Sequence, residues 1–179
     1  PTLEKALTEA ESTTGDLGDD SVQIGDTVSY TLTVVVPTGA NKEIKITDTM
    51  TAGLTFDGID TINISNDSAT LSRSGDNPDY SAEFSTDEHY FTITFSADQA
   101  KAQAGETLTI TYTATVNENA AVTSTQNNTA VLNYGNTFFQ TTPQTVDSDT
   151  YHLTIDKVDE NYYPLNGAEF QLYRGESAS

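Results

Sequence analysis

The sequence predicts an all-β protein: an antiparallel β-sandwich with one short helix, followed by the first two strands of a second β-sandwich domain. Three observations carry this. Thirty-one threonines among 179 residues alternate with apolar residues rather than forming a tract, the habit of strands with one wet face. Clusters of Gly, Pro, Asn and Asp break the chain into short segments. Cysteine is absent, which removes a disulfide scaffold, Cys-ligated zinc and a thiol nucleophile together.

The elements follow in chain order. Leu3, Lys5 and Leu7 share one parity in the first strand-like run. Val28, Tyr30, Leu32, Val34 and Val36 alternate with Thr27, Ser29, Thr31 and Thr33 until Pro37-Thr38-Gly39 signals a turn. Ile44 and Ile46 alternate with Glu43 and Lys45, and Phe91, Ile93 and Phe95 with Thr92 and Thr94. Residues 96–102 read as the one short helix, with Ser96 as N-cap and Gly105 as the stop. The clearest strand sets Leu108, Ile110, Tyr112, Ala114 and Val116 against five threonines. After the acidic Asp147-Ser148-Asp149 a new strand starts at Tyr151, and another follows Pro164-Leu165-Asn166-Gly167. Two strands alone are marginal in water, so a domain of residues 1–148 is expected, followed at 149–179 by the opening of a truncated second one.

Charge and composition narrow the function. Seven basic against 27 acidic residues give a net charge of −20, which repels nucleic acid and anionic membrane surfaces. No apolar stretch approaches the roughly 20 residues of a membrane span, and Pro1-Thr2-Leu3-Glu4-Lys5 lacks the regions of a signal peptide. The expectation is a soluble, processed or excised piece without membrane insertion. His89 and His152 sit in strand-like runs without partners for catalysis, and no phosphate loop, GxSxG elbow or HExxH occurs. The acidic clusters at 57–60 and 76–79 lack calcium-loop spacing; no metal and no cofactor is expected.

Three polar residues fall on the apolar parity: Lys5 with Leu3 and Leu7, Asp48 with Ile44 and Ile46, and Asn128 with Ala130, Leu132 and Tyr134. Each alone is explained by a wet strand end. Together, on a first, an early and a last strand, they read as groups that satisfy one another in the core, since each buried alone costs several kcal/mol.

The segments 1–5, 22–32, 46–50 with Gly53-Leu54, 104–112 and Asn128-Thr129-Ala130 with Tyr134-Gly135-Asn136 resemble the D2-type isopeptide-forming domain of Gram-positive sortase-assembled backbone pilins. The resemblance implies an immunoglobulin-like sandwich of the collagen-adhesin A type over residues 1 to about 148. Residues 153–160 and 164–172 resemble the start of a collagen-adhesin B-type domain. Carried onto this chain, the family implies a bond between the Lys5 amine and the Asn128 side chain, with Asp48 as the catalytic acid. It also implies Lys157 as the second domain's reactive lysine, whose partner these residues do not include. Burial would lower the Lys5 pKa and raise that of Asp48, leaving a neutral nucleophile beside a carboxylic acid. The reaction is self-directed and occurs once per molecule, so an enzyme in the turnover sense is not expected. The implied setting is an extracellular, cell-wall-anchored pilus whose homologous subunits are joined by a sortase. The other reading is an adhesin module for a host or matrix ligand, glycan or protein, for which Phe138-Phe139 and Tyr162-Tyr163 are the adjacent aromatic pairs; these are expected to pack at strand ends or the domain junction.

Overall fold

The computed structural model describes residues 1–10, 21–85, 89–120, 125–135, 139–150, 157–160, 162–163 and 167. Among these residues twelve strands are formed: β1 (Thr2–Ala10), β2 (Ser21–Val22), β3 (Thr27–Val35), β4 (Ile44–Met50), β5 (Leu54–Phe56), β6 (Asn63–Ser65), β7 (Thr70–Leu71), β8 (Ser81–Phe84), β9 (Tyr90–Phe95), β10 (Thr107–Val116), β11 (Thr125–Tyr134) and β12 (Gln144–Thr150). The one α-helix among them, α1 (Ala97–Ala102), connects β9 and β10. Ser96 caps it in a reciprocal capping box with Gln99, and Gly105 adopts φ +90° in the turn that follows, a conformation that glycine takes without steric cost.

Two sheets face each other. The first runs β1-β3-β10-β6-β7, with β5 also on β10; the second runs β2-β12-β11-β4-β9-β8. Among the described residues all strand pairings are antiparallel except the short parallel contact of β12 with β2. The threonine alternation does what its period requires: on β3 and β10 every apolar partner of a threonine turns inward. Val28, Leu32, Val34, Leu108, Ile110 and Ala114 from one sheet meet Ile44, Ile46, Phe91, Ile93, Phe95 and Leu132 from the other, all fully buried. Among the described residues no helix is long and apolar enough to cross a membrane.

Two expectations change. Residues 144–150 form a strand, β12, where the sequence reading has an acidic connection before a new strand at Tyr151. Its inward face carries Val146, Ser148 and Thr150, a single apolar residue among polar ones, so the period-two signal is nearly silent. Asn128 therefore lies on the penultimate of the described strands rather than the last, and β12 runs to Thr150. His89 sits at a bend ahead of β9, its carbonyl accepting from the Met50 amide at 2.7 Å. His152, Phe138 and residues 151–156 lie outside the described residues, as do 164–166 and 168–179, so the two strands expected there stay expectations.

Candidate functional site

The site lies between the sheets, and its members come from five strands. On the first sheet, Lys5 of β1 pairs with Leu32 of β3, and Tyr30 of β3 pairs with Tyr112 of β10. On the second, Asp48 of β4 faces Ala130 on one side and Phe91 on the other. Asn128 of β11 pairs with Met50 of β4, placing it diagonally from Asp48. Because side chains alternate across a strand, all five point into one layer.

The parity expectation holds in position. Asp48 and Asn128 are fully buried, and the Lys5 side chain has no exposed surface. Lys5 Nζ lies 2.6 Å from Asp48 Oδ2. The Tyr112 hydroxyl donates to the same oxygen at 2.7 Å and accepts from Asn128 Nδ2 at 3.1 Å. Lys5, Asp48 and Asn128 thus meet through one carboxylate oxygen and one phenol.

Aromatic rings enclose the polar groups. Tyr30 and Tyr112 stack with centroids 5.3 Å apart, and Phe91 meets the Tyr112 ring edge-on at 4.7 Å. Lys5 Nζ lies 5.1 Å from the Tyr30 centroid and 5.7 Å from that of Tyr112.

This setting disfavours charge. Burial lowers the Lys5 pKa from 10.5 to about 8 against the opposing pull of Asp48. Burial raises that of Asp48, with Lys5, Tyr112 and Asn128 acting the other way. Both shifts favour an uncharged amine beside an uncharged carboxyl. The phenols of Tyr30 and Tyr112 are pushed up by burial too, and stay protonated.

Four oxygens here are buried without a hydrogen-bond partner: Asp48 Oδ1, Asn128 Oδ1, Tyr30 Oη and Ser148 Oγ. Sequence reasoning missed Tyr30, Tyr112 and Ser148. The tyrosines carried a usable signal, since a phenol on a core parity must place its hydroxyl somewhere; Ser148 carried none.

A close approach positions Asn128. A Cβ on Gly53 would come within 2.1 Å of Gln126 Oε1 and 2.7 Å of Ala120 Cα. Gln126 is buried, accepts from Thr51 Oγ1 at 2.9 Å, and stands two residues before Asn128 on β11.

Elsewhere the candidates disperse. Asp60 binds the Arg73 guanidinium and Asp57 accepts from Thr115, while Asp79 accepts from the Ser72 amide. Among the described residues no group of His, Cys, Asp and Glu could hold a metal. Lys157 is exposed. Tyr162 and Tyr163 are exposed by 85% and 68%, and Phe139 by 47%; the expected packing of the aromatic pairs is not seen for these three.

The fold is thus a two-sheet β-sandwich with a lysine, a carboxylic acid and an asparagine buried between its sheets. The sequence profile described as Gram-positive pilin backbone subunit 2, Cna-B-like domain, matches residues 24–138, and the chain belongs to that family. That family is Cna-B-like, whereas the sequence motifs resemble the A type.

Solved structures agree. The T6 backbone pilin of serotype M6 Streptococcus pyogenes is 20% identical with a TM-score of 0.65, over 92% of this chain and 39% of that one. The pilus backbone RrgB of Streptococcus pneumoniae is 28% identical with a TM-score of 0.59, over 75% of this chain and 52% of that one. The collagen-binding subdomain of the Enterococcus faecalis surface protein ACE shares the fold at 19% identity and a TM-score of 0.53, over 85% of this chain and 97% of that one. The chain thus spans 39% and 52% of the two pilin structures. No curated protein matches it.

Proposed function

We propose that this domain is a force-resisting unit of a pilus shaft, locked by an isopeptide bond that forms between Lys5 and Asn128 with Asp48 as its acid. The observation that carries the reading is the fully buried 2.6 Å contact of Lys5 Nζ with Asp48 Oδ2, joined to Asn128 through Tyr112. Nothing in ordinary folding calls for it, because a buried ion pair is often no more stable than the apolar residues that could replace it.

The chemistry is a transamidation. The neutral Lys5 amine adds to the Asn128 side-chain carbon; Asp48 takes a proton from the attacking nitrogen and delivers one to the departing amide nitrogen. A C–N bond forms, another breaks, ammonia leaves, and Asp48 ends as it began. Folding supplies the positioning, worth up to about 7–11 kcal/mol of barrier. The aromatic wall excludes the water that would otherwise charge the amine and compete as nucleophile.

The mechanical consequence follows from topology. A bond between β1 and β11 carries tension across the two sheets through covalent bonds, bypassing the hydrogen-bonded ladders. Such a domain suits a shaft of sortase-joined homologous subunits on an extracellular, wall-anchored pilus. Tandem mass spectrometry of a tryptic digest tests the reading: a branched peptide joining Lys5 to residue 128 is expected, and recovery of both peptides unlinked would refute it. The adhesin reading has one feature in its favour, the exposed Tyr162 and Tyr163; saturable binding to a glycan array or to matrix protein would establish it.

A further inference from the structure

The Asn128 amide has two ends, and the hydrogen bonds divide them. Tyr112 has one hydroxyl proton, given to Asp48 Oδ2 at 2.7 Å. Toward Asn128 it can only accept, so the end facing it at 3.1 Å is the nitrogen. The departing nitrogen therefore lies on the Tyr112–Asp48 side, within reach of the carboxyl proton. The carbonyl oxygen is left buried and unpaired. That oxygen gains negative charge when an amine adds to its carbon, and a donor aimed at it there is worth more than anywhere else in the site.

Two further hydroxyls of the site are buried and equally unpaired, Tyr30 Oη and Ser148 Oγ. Both residues are 1% exposed, and the Asn128 and Ser148 side chains are close enough to the Tyr30 phenol to oppose the rise that burial gives its pKa. Orphaned buried polar atoms are rare. Here an acceptor that can only accept stands with two groups that can each donate. The Tyr30 ring is fixed by its stack on Tyr112, and Ser148 by β12, where it pairs with Gln126.

We propose that Tyr30 is a catalytic residue of cross-link formation, its hydroxyl donating to Asn128 Oδ1 as the tetrahedral intermediate forms. Ser148 is a positioning residue that donates to the Tyr30 oxygen. The proposal rests on the isopeptide reading and divides its labour: Asp48 handles the protons of the two nitrogens, and Tyr30 holds the charge on oxygen. No proton leaves Tyr30, so the products are still one amide and one ammonia.

Timed intact mass tests this on the full chain made by cell-free synthesis, with aliquots quenched in acid. Tyr30→Phe keeps the ring and is expected to slow ammonia loss by about 10²–10³-fold, the usual cost of one oxyanion donor. Its final mass should fall one ammonia below that of its own sequence, as the wild type's does, and its linked product should melt as the wild type's does, because only the rate depends on the donor. Ser148→Ala is expected to slow the reaction by a smaller factor and Ser148→Thr, which keeps a hydroxyl, to restore it. Ammonia loss at the wild-type pace in Tyr30→Phe overturns the proposal, as it does in Ser148→Ala should the tyrosine variant not fold. A wild-type chain that never loses ammonia refutes the isopeptide reading itself, a separate result.

Discussion

Asn128→Ala isolates what the proposed cross-link contributes. Lys5 and Asn128 stand 123 residues apart, and closing a loop of about that length removes roughly 5 kcal/mol of chain entropy from the unfolded state, on the model used for disulfides. The truncation leaves the Lys5–Asp48 contact at 2.6 Å and the Tyr112–Asp48 bond at 2.7 Å in place, so no charge loses its partner. For a domain of this size each kcal/mol moves the midpoint by about 2–4 °C. The variant should therefore melt roughly 10–20 °C below the wild type by calorimetry. Asn127→Ala, on the outward face of β11, should stay within about 0.5 kcal/mol of the wild type. If Asn128→Ala melts beside Asn127→Ala while the wild type carries the bond, a covalent tie across the sheets is not what stabilises the domain.

Asp48→Ala should block ammonia loss and lower the urea midpoint further than Asn128→Ala does, since it also strands the Lys5 amine in the core, at about 1–3 kcal/mol for a buried donor deprived of its partner; full ammonia loss in this variant would remove Asp48 from the chemistry. Unlinked Asn128→Ala retains the Lys5 amine, with a folded pKa of about 8 against 10.5 unfolded. Between those values the unfolded chain holds a proton that the folded one has released, so stability should rise with pH across that window by roughly 3 kcal/mol. The linked wild type has no such amine, and denaturant titrations from pH 7 to 10.5 should show the gap between the two narrowing; a constant gap would contradict a buried, depressed lysine. Gly53→Ala should push Gln126 out of its seat and lower both the melting midpoint and the rate of ammonia loss, checked by calorimetry and timed mass; an unchanged rate would show that this contact does not position Asn128.

The strands that position the site were legible because threonine and apolar residues alternate without interruption on β3 and β10, and a period of two has one physical solution when one face must be dry. The same logic exposed Lys5, Asp48 and Asn128, since a polar residue on the dry parity must find partners there. It failed on β12, whose inward positions are Val146, Ser148 and Thr150. A strand closing the edge of a site need not be apolar, and this one reads as linker. Tyr30 and Tyr112 were legible as core but not as chemistry, because their rings satisfy the packing pattern and only the three-dimensional arrangement shows where their hydroxyls go. The pairing of Asp48 with Tyr112 in the opposite sheet is likewise a matter of which sheets face each other, and a local pattern contains no such information.

The central claim, that folding joins Lys5 to Asn128 in covalent linkage, is tested most directly by the intact mass of the purified, denatured full chain. The account expects a mass lower than that of the sequence by one ammonia in the wild type, and the full sequence mass, apart from the substitution, in Lys5→Met and Asn128→Ala. A wild-type mass equal to that of the sequence would contradict it.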